Sequence, residues 1–227
     1  MATGLDPELE LYLQERVDPL VERMGGWMRA RTPRTGSLAV GGRGEEMMRC
    51  LLRSRGWMVM RPPYHLPQSP GPDAVAWKNK GGRLILAIVD NKAGRRPGPV
   101  RRASGLTAPS LTLNLPTFIY ALRRATGPRH AGVSQLLERV QIAARAAASR
   151  AERQGLRAEQ GRIELPPGVR LWVTNANGAA TGISSALGQG IRGPGGALLP
   201  GLGIRFVNLR SLPVPPACMQ HREPAGP

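Results

Sequence analysis

The stretch Gly71–Ala93, GPDAVAWKNKGGRLILAIVDNKA, decides the fold of this chain. It predicts a β-hairpin, with one strand over residues 73–78 and a strongly apolar second strand over residues 83–90. The NKGG segment between them has the composition of a tight turn. A hairpin brings its two outer ends together, so residues far apart in this stretch become neighbours at the open end.

Polar residues occupy that open end. With the turn centred on the lysine of NKGG, Asp73 is predicted to lie almost opposite Ile88 and therefore close to Asp90. The two-residue period of a strand places Asp90 and Lys92 on one face and Asn91 on the other. Carboxylates hold divalent cations through oxygen, and an ammonium group can orient a hydrolytic water or a phosphate. The hairpin thus predicts a metal-dependent phosphodiesterase site.

These residues also resemble a known motif. Pro72-Asp73, an apolar strand and Asp90-Asn91-Lys92 resemble the PD-(D/E)XK signature of the restriction-endonuclease-like nucleases. The run from Glu45 to Arg61 is similar to the first helix and strand of archaeal-type Holliday junction resolvases, where a helix-borne glutamate precedes a Gly-aromatic-β segment. The resemblance covers residues 41–93. It implies an α/β fold with an αβββαβ core, in which a mixed central sheet is flanked by helices.

The resemblance also implies a cofactor and residue roles. Mg²⁺, with Mn²⁺ as a substitute, is expected at Asp73 and Asp90, with Glu45 acting directly or through water, and Lys92 is expected to position the attacking water. A helix predicted over residues 43–55 places Glu45 on the same face as its apolar residues Met48, Leu51 and Leu52. Glu46 aligns instead with Arg49 and Arg53, so it is the surface alternative to Glu45.

Charge points to the partner. The formal net charge is +17 and the sequence pI is 11.6, which favours a polyanion such as nucleic acid. The plainer alternative is that the arginine enrichment reflects nucleotide composition and does not indicate nucleic-acid binding. Between Arg23 and Leu137 the acids are few, and all fall on the suspected site: Glu45, Glu46, Asp73 and Asp90. The low aromatic content, 4%, favours duplex over single-strand binding.

The remaining sequence suggests three regions. We predict an N-terminal helical extension at 1–30, a nuclease-like domain at 31–212 and a flexible tail at 213–227. Residues 30–42 read as a basic linker, and residues 94–114 as a flexible basic loop whose arginines track a nucleic-acid backbone: Arg95, Arg96, Arg101 and Arg102. Further strands are predicted at 57–61, 169–174 and 204–209, further helices at 116–125 and 134–159, and a Gly-rich loop at 178–203.

Other signals are weak. Cys50 and Cys218 suggest neither a disulfide framework nor a zinc site. Arg139, Arg150 and Arg157 could form a phosphate-facing row or an ordinary solvated face. Gln135 or Gln141, on the same helix, could reach the site. No apolar run has transmembrane length and no secretory signal pattern is present, so action in the cytoplasm is expected, with export by a dedicated system left open.

The function predicted is a metal-dependent endonuclease, with DNA favoured and RNA left open. One setting is an antibacterial effector or toxin, for which an acidic immunity protein would be the partner. The alternatives are a repair, junction-resolving or restriction-type nuclease, for which a homodimer is expected, and a non-catalytic nucleic-acid-binding protein of the same fold.

Overall fold

The computed structural model describes residues 35–63, 71–92, 94–99, 104–125, 128–175, 178–181, 204–209 and 212–221. Three helices and seven strands follow one another in these residues. In chain order they are α1 (Thr35–Arg53), β1 (Met58–Met60), β2 (Ala74–Lys80), β3 (Arg83–Asn91), β4 (Gly94–Pro99), α2 (Ala108–Arg124), α3 (Pro128–Arg153), β5 (Val169–Asn175), β6 (Gly178–Thr181) and β7 (Ile204–Asn208). The predicted N-terminal helices lie outside the described residues.

The hairpin is confirmed, with a corrected register. Lys80 pairs with Arg83, which leaves Gly81-Gly82 as a two-residue loop. Both glycines have positive φ, 57° and 74°, as a type I′ turn requires. Val75, rather than Asp73, lies opposite Ile88, so the predicted register was wrong by two residues. A shift of two residues keeps each side chain on its face, so the predicted faces survive.

Five strands form the central sheet, in the order β1-β2-β3-β5-β7. β2 pairs antiparallel with both β1 and β3, whereas β5 pairs parallel with β3 and β7 pairs parallel with β5. Strands β4 and β6 form a separate two-stranded parallel sheet. The fold is therefore a mixed α/β fold, as predicted, and the parallel strands bring the ends of β3 and β5 to the same edge of the sheet.

Helices cover both faces of the sheet. One core joins α2 and α3 to alternate residues of the hairpin, among them Val75, Trp77, Leu86 and Ile88. The second core joins α1 to the intervening residues, among them Ala74, Ala76, Ala87 and Val89. The apolar residues of α3 that recur at helical spacing are all buried: Leu137, Val140, Ala144, Ala147 and Ala151.

Helix α1 ends as predicted but begins earlier. Gly56, with φ of 75°, follows its last turn, and the amides of Gly56 and Trp57 donate to the carbonyls of Arg53 and Leu52. This is the Schellman arrangement, in which glycine avoids the strain of a left-handed backbone. Residues 35–42, predicted as part of a linker, are helical.

The region after the hairpin is also more ordered than predicted. Residues 94–99 form β4, and α2 begins at Ala108 and continues through Pro116, so the expected loop to residue 114 is wrong for both segments. The Thr107 hydroxyl caps α2 by accepting from the amide of Ser110 at 3.4 Å. The first residues of the predicted Gly-rich loop form β6.

A disulfide joins Cys50 of α1 to Cys218, contrary to the prediction from the sequence. The two residues are 168 positions apart, with Cα atoms separated by 5.7 Å. Cys218 belongs to a short 3₁₀-helix, Pro216–His221, and is fully buried against α1. This part of the tail is therefore folded onto the domain rather than extended.

Candidate active site

Asp73 and Asp90 meet at the edge of the sheet. The amide of Asp73 donates to the carbonyl of Val89 at 2.8 Å, and Ala74 pairs with Val89, so Asp73 lies across from Asp90. Both share the side-chain alternation of Val75 and Ile88, which places them on the face covered by α2. The structure thus brings together the two carboxylates predicted from the sequence.

Burial dominates the electrostatics of this pair. Loss of hydration, followed by the nearby charge of Asp90, raises the pKa of Asp73 to about 8. Burial also raises the pKa of Asp90, while Lys92 and the Gly105 amide oppose that rise. Two adjacent carboxylates of which one is fully buried resist ionising together, so the pair favours keeping a proton when no cation is near.

Lys92 pairs directly with Asp90. Its ammonium nitrogen lies 2.5 Å from Asp90 Oδ1, and its side chain keeps 29% of its surface exposed. Asn91 points to the opposite face, as predicted, because its Oδ1 accepts from the hydroxyl of the fully buried Thr174 in β5 at 2.8 Å. The backbone N–H of Asn91 donates to Asp73 Oδ2 at 2.6 Å. This short segment therefore contacts both carboxylates.

A backbone amide just before α2 holds the second carboxylate. Gly105 donates its N–H to Asp90 Oδ2 at 3.1 Å in a buried contact. Each aspartate thus has its Oδ2 bound to a backbone amide, one from the hairpin and one from the turn before α2. Backbone groups, which have less conformational freedom than side chains, therefore orient both carboxylates.

Glu45 lies on a different element from the aspartate pair. It lies on α1, whose apolar residues pack on the opposite face of the sheet, yet its charge contributes to the raised pKa of Asp73. The buried Arg49 guanidinium binds Glu45 Oε2 at 3.5 Å and Glu46 Oε1 at 2.6 Å. The side chain of Glu46 is 47% exposed against 20% for Glu45, as expected for the surface alternative, but Arg49, with which Glu46 was aligned, is buried.

The arginines expected to contact nucleic acid lie outside the described side chains. Arg95 and Arg96 lie in β4, whose side chains the structure does not describe, and Arg101 and Arg102 lie outside the described residues. The helix predicted to reach residue 159 ends at Arg153, so Arg157 lies beyond α3 and does not continue a row with Arg139 and Arg150 on that helix. Arg150 instead pairs with Glu164 at 3.3 Å.

The two glutamines on α3 do not join the aspartates in this geometry. Gln141 donates to the carbonyl of Thr112 at 3.3 Å, which ties α3 to α2. Gln135 is exposed.

Thr174 and Gly105, which the sequence prediction missed, support the site, and Arg49, aligned from the sequence with Glu46, also binds Glu45. Thr174 binds Asn91, which is 83 residues away in the sequence, and Gly105 binds Asp90, which is 15 residues away. A local signal existed only for Arg49, whose spacing from Glu45 and Glu46 is that of helical ion pairs. The other two depend on which elements become neighbours.

In the described part of the chain, the groups that could bind a cation at this sheet edge are the carboxylates of Asp73 and Asp90. Within that part, no group of three or more histidine, cysteine or acidic side chains is placed to hold a metal ion.

None of the helices in the described part of the chain combines the length and apolar character needed to cross a membrane. Comparison of the chain with protein-family models, with curated proteins and with solved structures finds no match.

Proposed function

We propose that this protein is a divalent-metal-dependent endonuclease, with Asp73, Asp90 and Lys92 at its active site. One observation carries the proposal: the buried Asp90 and the partly buried Asp73 face each other across a hairpin, and a lysine binds Asp90. Buried like charges destabilise a fold, so such a pair is more readily explained by a ligand than by stability. The resemblance of the same residues to the PD-(D/E)XK signature agrees with this proposal.

The residues present fit Mg²⁺ better than a transition metal. The nearby groups are carboxylates, which suit a hard cation, and the described residues bring no histidine or cysteine cluster to the site. Mg²⁺ commonly keeps several waters and uses one or two carboxylates, so a third acid is not required. When bound, the ion would supply charge stabilisation for phosphodiester hydrolysis; Mn²⁺ would substitute.

The protein's own side chains have separable roles in this proposal. Asp73 and Asp90 hold the cation on one face of the sheet. Lys92 reaches solvent, so it can donate to a phosphate oxygen or to the water that attacks phosphorus as the leaving oxygen departs. Glu45, bound by Arg49, acts at longer range, through water or through its charge.

We also propose that the fold is of the restriction-endonuclease-like type. The order is α1, β1, β2, β3, β4, α2, α3 and β5; without β4, which belongs to the separate two-stranded sheet, it contains the αβββαβ sequence of elements implied by the resemblance. The proposed acids lie on β3 and immediately before β2. Because one fold supports many functions, the site carries the functional argument and the fold only adds to it.

The substrate proposed is nucleic acid, with duplex DNA favoured. A net charge of +17 attracts phosphate and raises association rates. Among the biological settings, the disulfide favours a protein that passes through an oxidising compartment, since disulfides are uncommon in the cytosol. This supports an exported effector, with an acidic immunity protein as partner, over a repair or restriction nuclease acting as a homodimer.

Cleavage assays test the proposal. Purified protein is incubated with supercoiled plasmid, linear duplex and structured RNA, in Mg²⁺, Mn²⁺ or EDTA. We expect metal-dependent cleavage that falls at least about 100-fold in Asp90→Asn and in Lys92→Ala, because each removes a group that contacts the metal or phosphate. The polymer that is cut identifies the substrate.

Matched controls come from the same chain. Glu164→Gln removes an acid whose side chain is 80% exposed, and Lys80→Ala removes an exposed lysine at the hairpin turn; both should cleave like the wild type. Folded protein that binds nucleic acid equally with Mg²⁺ or EDTA and never cleaves would sink the proposal. The protein would then be a non-catalytic nucleic-acid-binding protein.

A further inference from the structure

The turn before α2 packs backbone against backbone on the segment that leads to Asp73. A Cβ atom added to Gly105 would lie 2.4 Å from the carbonyl oxygen of Gly71, 2.8 Å from its carbonyl carbon and 3.2 Å from Asp90 Oδ2. The first two distances are too short for any real Cβ. Gly105 has no positive φ, so space rather than backbone conformation requires glycine here.

Both polar backbone groups of Gly105 are used. Its N–H donates to Asp90 Oδ2, and its carbonyl accepts from the Ser110 hydroxyl at 3.0 Å. Ser110 lies in the first turn of α2, so Asp90 is linked through Gly105 to the start of that helix. Gly71 is confined as well, because a Cβ there would lie 2.9 Å from the Asn114 side chain.

These contacts join the two carboxylate-bearing segments. Gly71 is two residues before Asp73, and Gly105 holds Asp90. We propose that Gly105 is a positioning residue for Asp90, and that the Gly71–Gly105 contact sets the separation of the two carboxylates. The inference rests on the proposed cation site, where displacements of about 1 Å in ligand position weaken function strongly.

The expected consequence is loss of cation affinity in a folded protein. In Gly105→Ala, the added methyl must push the turn away from Gly71 and weaken the bond to Asp90. Mg²⁺ and Mn²⁺ affinity, measured by calorimetry, should fall about 10-fold or more, the size of effect seen when groups supporting metal ligands are lost. Ser110→Ala adds no atoms and should cause a smaller fall in the same direction.

The matched control is Gly132→Ala in α3. A Cβ there meets only Leu84 Cδ2, at an ordinary 3.6 Å, so cation affinity should stay unchanged. A folded Gly105→Ala protein with wild-type cation affinity would overturn the inference. If that variant does not fold, Ser110→Ala decides: unchanged affinity in it would overturn the inference too.

A metal-independent measurement separates this inference from the proposed function. In ¹H–¹⁵N spectra of the metal-free protein, Asp90→Asn should shift the Gly105 amide resonance far more than that of Gly132, because a charged acceptor is replaced by a neutral one. An unmoved Gly105 resonance contradicts the inference. A wild-type protein that shows the shift yet binds no divalent cation would refute the metal site while leaving the Gly105–Asp90 contact established.

Discussion

Asp73 and Asp90 cost the fold stability unless a cation or a proton accompanies them. Asp90 is almost fully removed from water and Asp73 is partly buried, and Lys92 offsets only part of the burial of Asp90. Groups held in this way are typical of functional sites, where stability is given up for chemistry. The stability of the protein should therefore respond to pH and to divalent cations through these two side chains.

The pH dependence has a defined sign. Asp73 has a folded-state pKa of about 8 against an ordinary value of 3.8, so between these values the folded state binds more protons than the unfolded state. Its contribution to the free energy of unfolding is present below pH 4 and is lost as pH rises toward 8, at up to about 1.4 kcal/mol per pH unit. Urea unfolding of metal-free wild type and Asp73→Asn measures this: the variant should be the more stable at pH 8, and the difference should vanish near pH 4.

Mg²⁺ provides the control for that comparison. At pH 8 it should stabilise the wild type and leave Asp73→Asn nearly unchanged, because binding to the folded state raises stability by mass action. Equal pH profiles for the two metal-free proteins would contradict the burial argument.

The Thr174 hydroxyl should matter more than its size suggests. It donates to the side-chain Oδ1 of Asn91, and the backbone N–H of Asn91 donates to Asp73. Thr174→Val keeps the branched shape but leaves a buried acceptor unsatisfied, so the free energy of unfolding should fall by about 1–3 kcal/mol. Thr174→Ser retains the donor and should lose less. Urea unfolding compares them, and equal losses would mean that packing, not the hydrogen bond, is what Thr174 supplies.

At the scale of elements, the hairpin turn determines which residues meet. Lys80 pairs with Arg83, and from this pair the register leads directly to Ala74 opposite Val89 and hence to Asp73 across from Asp90. The Gly81-Gly82 loop closes the hairpin with the twist that two-residue turns require. The turn at one end of the hairpin thus sets the active-site pairing at the other.

A substitution in the turn tests this element. Gly82→Val places a β-branched residue at φ of 74° and should reduce the free energy of unfolding by about 1–2 kcal/mol. Gly42→Ala is the opposite case: it lies inside α1 with open space around it, and should stabilise by about 0.5–1 kcal/mol. Denaturant titration of both variants checks the two signs, and a harmless Gly82→Val would show that this turn is not strained by side chains.

At the scale of the whole molecule, the disulfide links α1 to residues near the end of the described chain. Cys50 lies on the helix that carries Glu45, and Cys218 anchors a segment packed against that helix. Closing a loop of 168 residues removes a large part of the freedom of the unfolded chain. The disulfide therefore stabilises the domain and fixes α1 in place.

Reduction should expose this contribution. With dithiothreitol the free energy of unfolding should fall by about 2–5 kcal/mol, the usual range for native disulfides. The double variant Cys50→Ala/Cys218→Ala should resemble the reduced protein and be insensitive to dithiothreitol. Two reactive thiols in the folded, untreated protein, detected by a thiol reagent, would contradict the pairing.

Much of the candidate site was predictable because its signals are local. Alternation along β3 predicts that Asp90 and Lys92 share a face and that Asn91 does not, and helical spacing separates Glu45 from Glu46. The predicted register was wrong by two residues, but each side chain stayed on its predicted face because the strand period is two. The start of α2 was missed because Pro and Gly near residues 94–114 obscured the Thr107 cap, which outweighs them once α2 packs on the sheet.

The sequence by itself determined the hairpin, the helices that cover it and the faces of Asp73, Asp90 and Lys92, because turn chemistry and side-chain period act over a few residues. Only the tertiary structure decided that Gly105 holds Asp90, that Thr174 holds Asn91 and that Cys50 pairs with Cys218. The physical reason is distance along the chain. These contacts join residues 15, 83 and 168 positions apart, so packing of whole elements, rather than any local preference, brings them together.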